Sequence, residues 1–123
     1  MAAVAVSQGI DSDLIPGIAT AFCSGLSETG GTCGALNGAI MAVSMVEGRA
    51  TTQDSRERVY AITQQLIRTF QENFQHTTCP DLLQLQLGTP QASAEYQSRG
   101  LHQQCEQYIR LITHATVKLL QEA

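Results

Sequence analysis

Apolar residues recur at three- and four-residue intervals along most of this chain, and no stretch alternates as a strand does. In one segment Ile62, Leu66 and Phe70 share a face, while polar residues lie elsewhere. This period is typical of amphipathic α-helices. The pattern predicts an all-α fold, a compact bundle of about five helices, two of them short, with a glycine-rich loop before the second.

Capping and turn residues place the ends of these helices. Asp11 or Ser12 starts the first, which runs to about Phe22; the second is capped by Thr32 and ends before Gly48. Thr52 or Asp54 begins the longest helix. Pro80 and the Thr89-Pro90 pair mark two short helices, since proline suits a first helical turn. A last helix follows Gly100 and carries Cys105 on its apolar stripe, with His114 half-buried among aliphatic residues.

Length and charge limit the kinds of function. A chain of 123 residues forms one domain, residues 1–123, with one hydrophobic core. The formal net charge of -4 and the scattered cations argue against nucleic-acid binding, which needs clustered Lys and Arg. No apolar run is long enough to span a membrane, and the start lacks the basic residues of a signal peptide. We therefore expect a cytoplasmic protein.

The four cysteines carry the candidate chemistry. In the cytoplasm thiols stay reduced, so cysteines there indicate metal binding or redox chemistry more than structural disulfides. None forms a CxxC pair, but each lies near a predicted helix end. Three of them lie at or just before an N-terminus, where free backbone N–H groups stabilise a thiolate. We expect the four to converge on one metal or redox centre; they are Cys23, Cys33, Cys79 and Cys105.

Histidine and glycine residues supplement this set. His102 lies three positions before Cys105, a spacing that suits zinc or a mixed His/Cys iron site, and it is the reserve metal ligand. Gly31, Gly34 and Gly38 leave the second helix with a face nearly bare of side chains. Such a face allows a cofactor to approach the backbone, or it allows tight helix packing. Both interpretations stay open.

Several segments together resemble a known family. The segments are Phe22-Cys23 through Thr32-Cys33-Gly-Ala-Leu-Asn-Gly38, then Cys79-Pro-Asp, then Gly100-Leu-His-Gln-Gln-Cys105. They are similar to the redox-active proteins named for their C_GCAxxG_C_C cysteine pattern, which are related to a domain of split-Soret cytochrome c. There the cysteine set accompanies an iron–sulfur centre beside haem. The resemblance implies Cys33, Cys79 and Cys105 as ligands of an iron–sulfur cluster, zinc or another thiophilic metal.

Two departures from the family pattern matter. The family has an earlier cysteine in a preceding helix, whereas residues 1–10 resemble only the tail of that helix and hold no cysteine. Either part of an N-terminal helix is missing or Cys23 takes that role. The sequence also reads Thr32-Cys33-Gly34-Ala35 where the family name implies Gly-Cys-Ala. No CxxCH segment occurs, so no haem is expected.

Three hypotheses follow. The first is a redox or electron-transfer protein with a thiolate-bound iron–sulfur cluster or other thiophilic metal. The second is a metal-free thiol–disulfide protein in which Cys23 pairs with Cys33. The third is a non-catalytic helical interaction module with buried cysteines. An incomplete first helix leaves an apolar groove that a second copy would cover, so a homodimer is expected, along with a redox partner protein.

Overall fold

The computed structural model describes residues 1–122, and within them the fold is all-α, as the periodicity predicts. The elements in chain order are α1 (Ala2–Ser7), a 3₁₀ helix (Gly17–Phe22), the helical turn α2 (Ser24–Glu28), α3 (Gly34–Glu47), α4 (Glu57–Phe74), α5 (Cys79–Leu83), α6 (Pro90–Ser98) and α7 (Leu101–Gln121). None of the helices in this range is both long and apolar enough to span a membrane.

The core lies between α3, α4 and α7. Leu66 and Phe70 of α4 are fully buried, and Ile112 of α7 is nearly so. Ala39 and Ala42 are buried on α3, where their small side chains allow the other two helices to approach closely. The predicted 3.6-residue stripes of α4 and α7 are therefore the faces that the tertiary structure buries.

An aromatic cluster joins α4 to α7. The ring of Phe70 lies 4.9 Å from that of Phe74 and 5.8 Å from that of Tyr108, centroid to centroid. Phe74 and Tyr108 meet edge-on at 4.7 Å. These tilted geometries suit the ring quadrupoles, so the cluster adds to the stability that area burial supplies.

Two predicted helix starts are wrong. α4 begins at Glu57, because the Asp54 carboxylate instead accepts hydrogen bonds from the backbone N–H groups of Ala50 and Thr51 and closes a turn. The cap of α3 is Cys33, since Thr32 belongs to a β-bridge with Thr78. The longest helix is α7, with 21 residues against 18 in α4.

The first predicted helix is also shorter than expected. It is a 3₁₀ helix that starts at Gly17, because Pro16 has no amide hydrogen to donate to an α-helix running from Asp11. Its apolar residues are not packed into the core: Leu14, Ile18 and Phe22 are 66%, 52% and 42% exposed. This segment contributes an apolar surface instead of a core face.

Candidate functional site

A single β-bridge brings two of the cysteines together. Thr32 pairs with Thr78, and one backbone hydrogen bond on each side of that pair holds the bridge. The N–H of Cys33 donates to the carbonyl of Thr77 at 2.7 Å, and the N–H of Cys79 donates to the carbonyl of Gly31 at 2.9 Å. Two residues that are 46 positions apart therefore leave the bridge next to each other.

Both cysteines then stand at the beginning of a helix. Cys33 is the N-cap of α3, and its thiol faces the free N–H groups of Ala35 and Leu36. Cys79 is the first residue of α5, where Pro80 fills the next position and needs no hydrogen-bond acceptor. The helix-end placement that the sequence predicts is therefore present for these two residues.

Cys105 approaches them from α7. It lies one turn inside that helix, half-buried against the core. Cys33, Cys79 and Cys105 are close enough for charge on one thiol to act on the others. Tyr96, on α6, borders the same cavity as Cys105.

The cysteines border one cavity of about 640 Å³. Its lining combines thiols with polar groups and aliphatic side chains, and every cysteine of the chain contributes. The residues that matter to its chemistry are Cys23, Cys33, Cys79, Cys105, Tyr96 and His102. Leu83, Ile109 and Ile112 give the cavity apolar walls, and Ile109 is 51% exposed because it faces this space.

Two of the thiols in this cavity, those of Cys33 and Cys79, have raised pKa values. Burial raises the pKa of the Cys33 thiol, against the opposing effect of the Ala35 and Leu36 N–H groups, and the neighbouring Cys105 raises it further. Burial, followed by the proximity of Cys33 and Cys105, raises the pKa of Cys79 to about 11. Desolvation and mutual repulsion both oppose thiolate charge. A cationic group among the sulfurs would remove both penalties.

Tyr96 and Tyr108 lie near the same cysteine side chains. Burial and the adjacent Cys105 raise the pKa of Tyr96 to about 12. Burial also raises the pKa of Tyr108, whose hydroxyl is engaged by Gln104 and by the carbonyl of Leu82. The Tyr108 hydroxyl is therefore committed to the core, whereas Tyr96 borders the cavity.

Cys23 differs from the other three cysteines. Its residue is exposed, and its thiol makes a long contact of 3.7 Å with the carbonyl of Ala19. The residues after Cys23 form α2, which is a left-handed turn because φ is positive from Ser24 to Glu28. Four of those five residues are not glycine, and each such residue costs roughly 1–2 kcal/mol.

Hydrogen bonds hold this left-handed turn in place. The N–H of Ser27 donates to the Cys23 carbonyl at 2.7 Å, and its hydroxyl donates to the Ala21 carbonyl at 2.8 Å. From the other side, the Gln86 amide donates to the Glu28 carbonyl at 3.0 Å. Strained backbone of this kind concentrates at functional sites. Here it covers one side of the thiol-lined cavity.

The predicted glycines have different positions. Gly34 and Gly38 line the cavity, but protein backbone also approaches them: a Cβ on Gly34 would lie 3.0 Å from the Cα of Cys23. A Cβ on Gly38 would lie 3.3 Å from the Met1 nitrogen. Gly31 is not among the residues that line the cavity; it packs against the Leu26 side chain and supplies the bridge carbonyl. Tight backbone packing thus explains much of the bare glycine face.

The three histidines occupy different positions relative to the cavity. His102 lines the cavity mouth and its Nε2 lies 3.1 Å from a carboxylate oxygen of Glu106, with the imidazole 75% exposed. His76, which shares the His-x-x-Cys spacing, is exposed and is not part of the lining. His114 is exposed on α7, so the prediction of a half-buried residue is wrong. Its position on the helix falls just outside the buried stripe.

The described residues do not form a site for a single metal ion. One zinc ion needs each sulfur about 2.3 Å from a common point. Across residues 1–122, no three or more His, Cys, Asp and Glu side chains are arranged to hold a metal ion in this way. Four thiols around one cavity of about 640 Å³ are the donor type that an iron–sulfur cluster would need.

Residues 1–119 match the family model described as "Putative redox-active protein (C_GCAxxG_C_C)". The chain belongs to this family. The C_GCAxxG_C_C match covers every cysteine, both bridge threonines and all helices except the last two residues of α7. Comparison with curated proteins and with solved structures gives no match. The family resemblance drawn from the cysteine segments is therefore confirmed, and the family is one that is described by redox activity.

Sequence reasoning missed three features of this C_GCAxxG_C_C site. The Thr32–Thr78 bridge joins distant loops and leaves no periodic signal. The left-handed turn carries four non-glycine residues, which sequence alone would not place at positive φ. Tyr96 lines the same cavity as Cys105 because α6 packs against α7. Gly100 is the sequence feature that indicates the turn between those two helices.

Proposed function

We propose that this protein is an electron-transfer protein in which Cys33, Cys79 and Cys105, with Cys23 as the fourth ligand, hold an iron–sulfur cluster. The supporting observation is that all four thiols border one cavity. When bound, such a cluster supplies a centre that accepts and releases electrons. His102, at the same cavity, is the reserve ligand in place of the exposed Cys23.

The chain's own residues have defined tasks in this proposal. The three half-buried thiols bind, and the N–H groups beside Cys33 offset part of the thiolate charge. Leu83 and Ile112 form apolar walls that keep water from the centre. The strained turn α2 fixes the chain between Cys23 and the bridge. A dry, hydrogen-bonded pocket is the means by which a protein tunes such a centre.

The test is metal analysis of protein purified without oxygen, then supplied with iron and sulfide. We expect bound iron, acid-labile sulfide and visible absorption, all lost in Cys33→Ser, Cys79→Ser and Cys105→Ser. A comparison of Cys23→Ser with His102→Ala identifies the fourth ligand. If the protein instead binds stoichiometric zinc and no sulfide, the centre is a zinc site and the proposed cluster is wrong. A colourless protein free of metal, with all thiols accessible, would refute metal binding altogether.

A metal-free thiol–disulfide function is the second candidate. Its supporting observation is that the Cys23 backbone packs on Gly34, next to Cys33, while all four cysteines are free thiols. Two thiols would lose two protons and two electrons to a disulfide oxidant. Oxidation would then lower the mass by two hydrogens per disulfide, and Cys23→Ser would abolish that change. The raised pKa values of Cys33 and Cys79 slow this exchange, because a thiol is a poorer nucleophile than a thiolate.

Association and location complete the proposal. The exposed apolar residues Leu14, Ile18 and Phe22 form a surface that a second copy would cover, so we propose a homodimer. We further propose a cytoplasmic location and a separate redox partner protein that supplies or removes the electron. Light scattering tests the homodimer: Leu14→Ser with Ile18→Ser should shift a dimer to a monomer, and a wild-type protein that is monomeric at high concentration would refute it.

A further inference from the structure

The left-handed turn α2 lies over the thiol cavity with little of its own surface buried. Three of its five residues, Ser24, Gly25 and Glu28, line the cavity. Only Gly25 is buried, and the one large apolar side chain of the turn, Leu26, is 36% exposed. A segment with so little buried apolar surface can open while the rest of a protein stays folded. The turn thus has one face on the cavity and the other in solvent.

The inner face of this turn rests on one cysteine. Gly25 packs so closely on Cys79 that an added Cβ would lie 3.5 Å from the Cys79 sulfur. Beside it, the Leu26 side chain lies over Gly31, where an added Cβ would come within 3.0 Å of it. The closed turn therefore blocks the approach to the Cys79 thiol from this side, and only an outward movement of α2 would expose it.

Strain and hydrogen bonds oppose each other in the turn. Four of its five residues hold a positive φ without being glycine, so their backbone favours other conformations. Against this, the Gly31 N–H donates to the Gly25 carbonyl at 2.9 Å, and the Gln86 amide donates to the Glu28 carbonyl at 3.0 Å. Gln86 lies in the loop after α5, where its amide also donates to the Leu87 carbonyl at 2.9 Å. It therefore fastens the turn to a separate segment of the chain.

We propose that α2 is a strained lid over Cys79, latched by Gln86, which opens as a unit while α3, α4 and α7 stay folded. The open lid admits a small reactant to the Cys79 thiol, and the closed lid excludes it. Opening breaks no covalent bond, because the hydrogen bonds of the latch are exchanged for hydrogen bonds to water. The inference goes beyond the proposed function, since a lid controls access to this thiol for cluster assembly and for disulfide exchange alike.

The test measures how fast iodoacetamide modifies Cys79 in the reduced full-length chain with a metal chelator present, by mass spectrometry of timed samples. Gln86→Ala removes the latch and should raise the rate about three- to tenfold, as expected for one lost hydrogen bond. Ser24→Gly should lower the rate about two- to fivefold, because glycine adopts the φ of 53 found at this position without steric cost. Strain and latch therefore predict effects of opposite sign.

Urea below the unfolding transition distinguishes the lid from global unfolding. Opening of the lid exposes little surface, so the rate at Cys79 should change little with urea concentration. A rate that rises steeply with urea, in step with the unfolding measured by circular dichroism, would overturn the lid.

Gln65→Ala is the matched control for Gln86→Ala. The Gln65 amide also donates a hydrogen bond, to the Thr69 hydroxyl at 3.3 Å, but within α4. Its Cys79 rate should equal that of the wild type. Wild-type rates in both Gln86→Ala and Ser24→Gly would mean that the reagent reaches Cys79 through the cavity mouth beside His102, and would overturn the lid. The iron and sulfide content of the protein tests the proposed function separately.

Discussion

The backbone of Gly25 packs directly on the Cys79 side chain. A Cβ added to Gly25 would lie 2.6 Å from the Cβ of Cys79 and 3.5 Å from its sulfur. The first distance is too short for two carbon atoms, so only glycine fits here. Gly25 also has a φ of +64, in the middle of the left-handed turn. A change in the backbone of the strained turn would therefore displace the Cys79 side chain.

Gly25→Ala should therefore destabilise the protein and displace Cys79. The positive φ costs roughly 1–2 kcal/mol, and the clash adds about 1–3 kcal/mol. Gly100→Ala is the matched control, because Gly100 has the same φ of +64 and no neighbouring atom within 4 Å of its added Cβ. Urea unfolding measures both variants. Equal losses of stability would contradict the contact with Cys79, and iron content should fall only in Gly25→Ala.

The four thiols should differ in reactivity when no metal is bound. Cys23 is exposed, whereas Cys33, Cys79 and Cys105 are half-buried around the cavity. We expect iodoacetamide to modify Cys23 first, because its thiol is the most accessible to the reagent. Mass spectrometry of timed samples measures the order. In urea all four should react alike, and earlier modification of Cys79 in the folded protein would contradict the structure.

Phe70 should be the costliest truncation in the aromatic cluster. It is fully buried and contacts the rings of Phe74 and Tyr108. Phe70→Ala should lower the free energy of unfolding by about 3–5 kcal/mol, because it leaves a cavity that the helices cannot close. Tyr60→Ala is the control: Tyr60 is 52% exposed, and its contact with Arg56 is worth about 1 kcal/mol or less. Comparable losses would argue against this core.

Thr89 should stabilise α6 as an N-cap. Its hydroxyl accepts a hydrogen bond from the N–H of Ala92, a group that has no partner inside the helix. Thr89→Ala should cost about 1 kcal/mol in urea unfolding. Thr52→Ala, at an exposed loop position that caps no helix, should change stability by less than about 0.5 kcal/mol. A loss at Thr89 no larger than at Thr52 would mean that the cap contributes nothing.

Much of this fold was predictable because helices depend on nearby residues. The three- and four-residue period of Ile62, Leu66 and Phe70 predicts α4, and Thr89-Pro90 predicts the start of α6. The start of α4 was wrong by several residues, since the Asp54 carboxylate satisfies loop N–H groups equally well. Local hydrogen bonds can close a turn or begin a helix, and the sequence does not distinguish the two.

The sequence by itself determined the all-α class, the family and the four cysteines, because periodicity, caps and motifs are properties of short segments. Only the tertiary structure decided how the cysteines meet. The Thr32–Thr78 bridge, the packing of Gly25 on Cys79 and the cavity shared by all four cysteines each join separate segments. Such contacts form only when the burial of α3, α4 and α7 offsets the entropy of closing the loops between them.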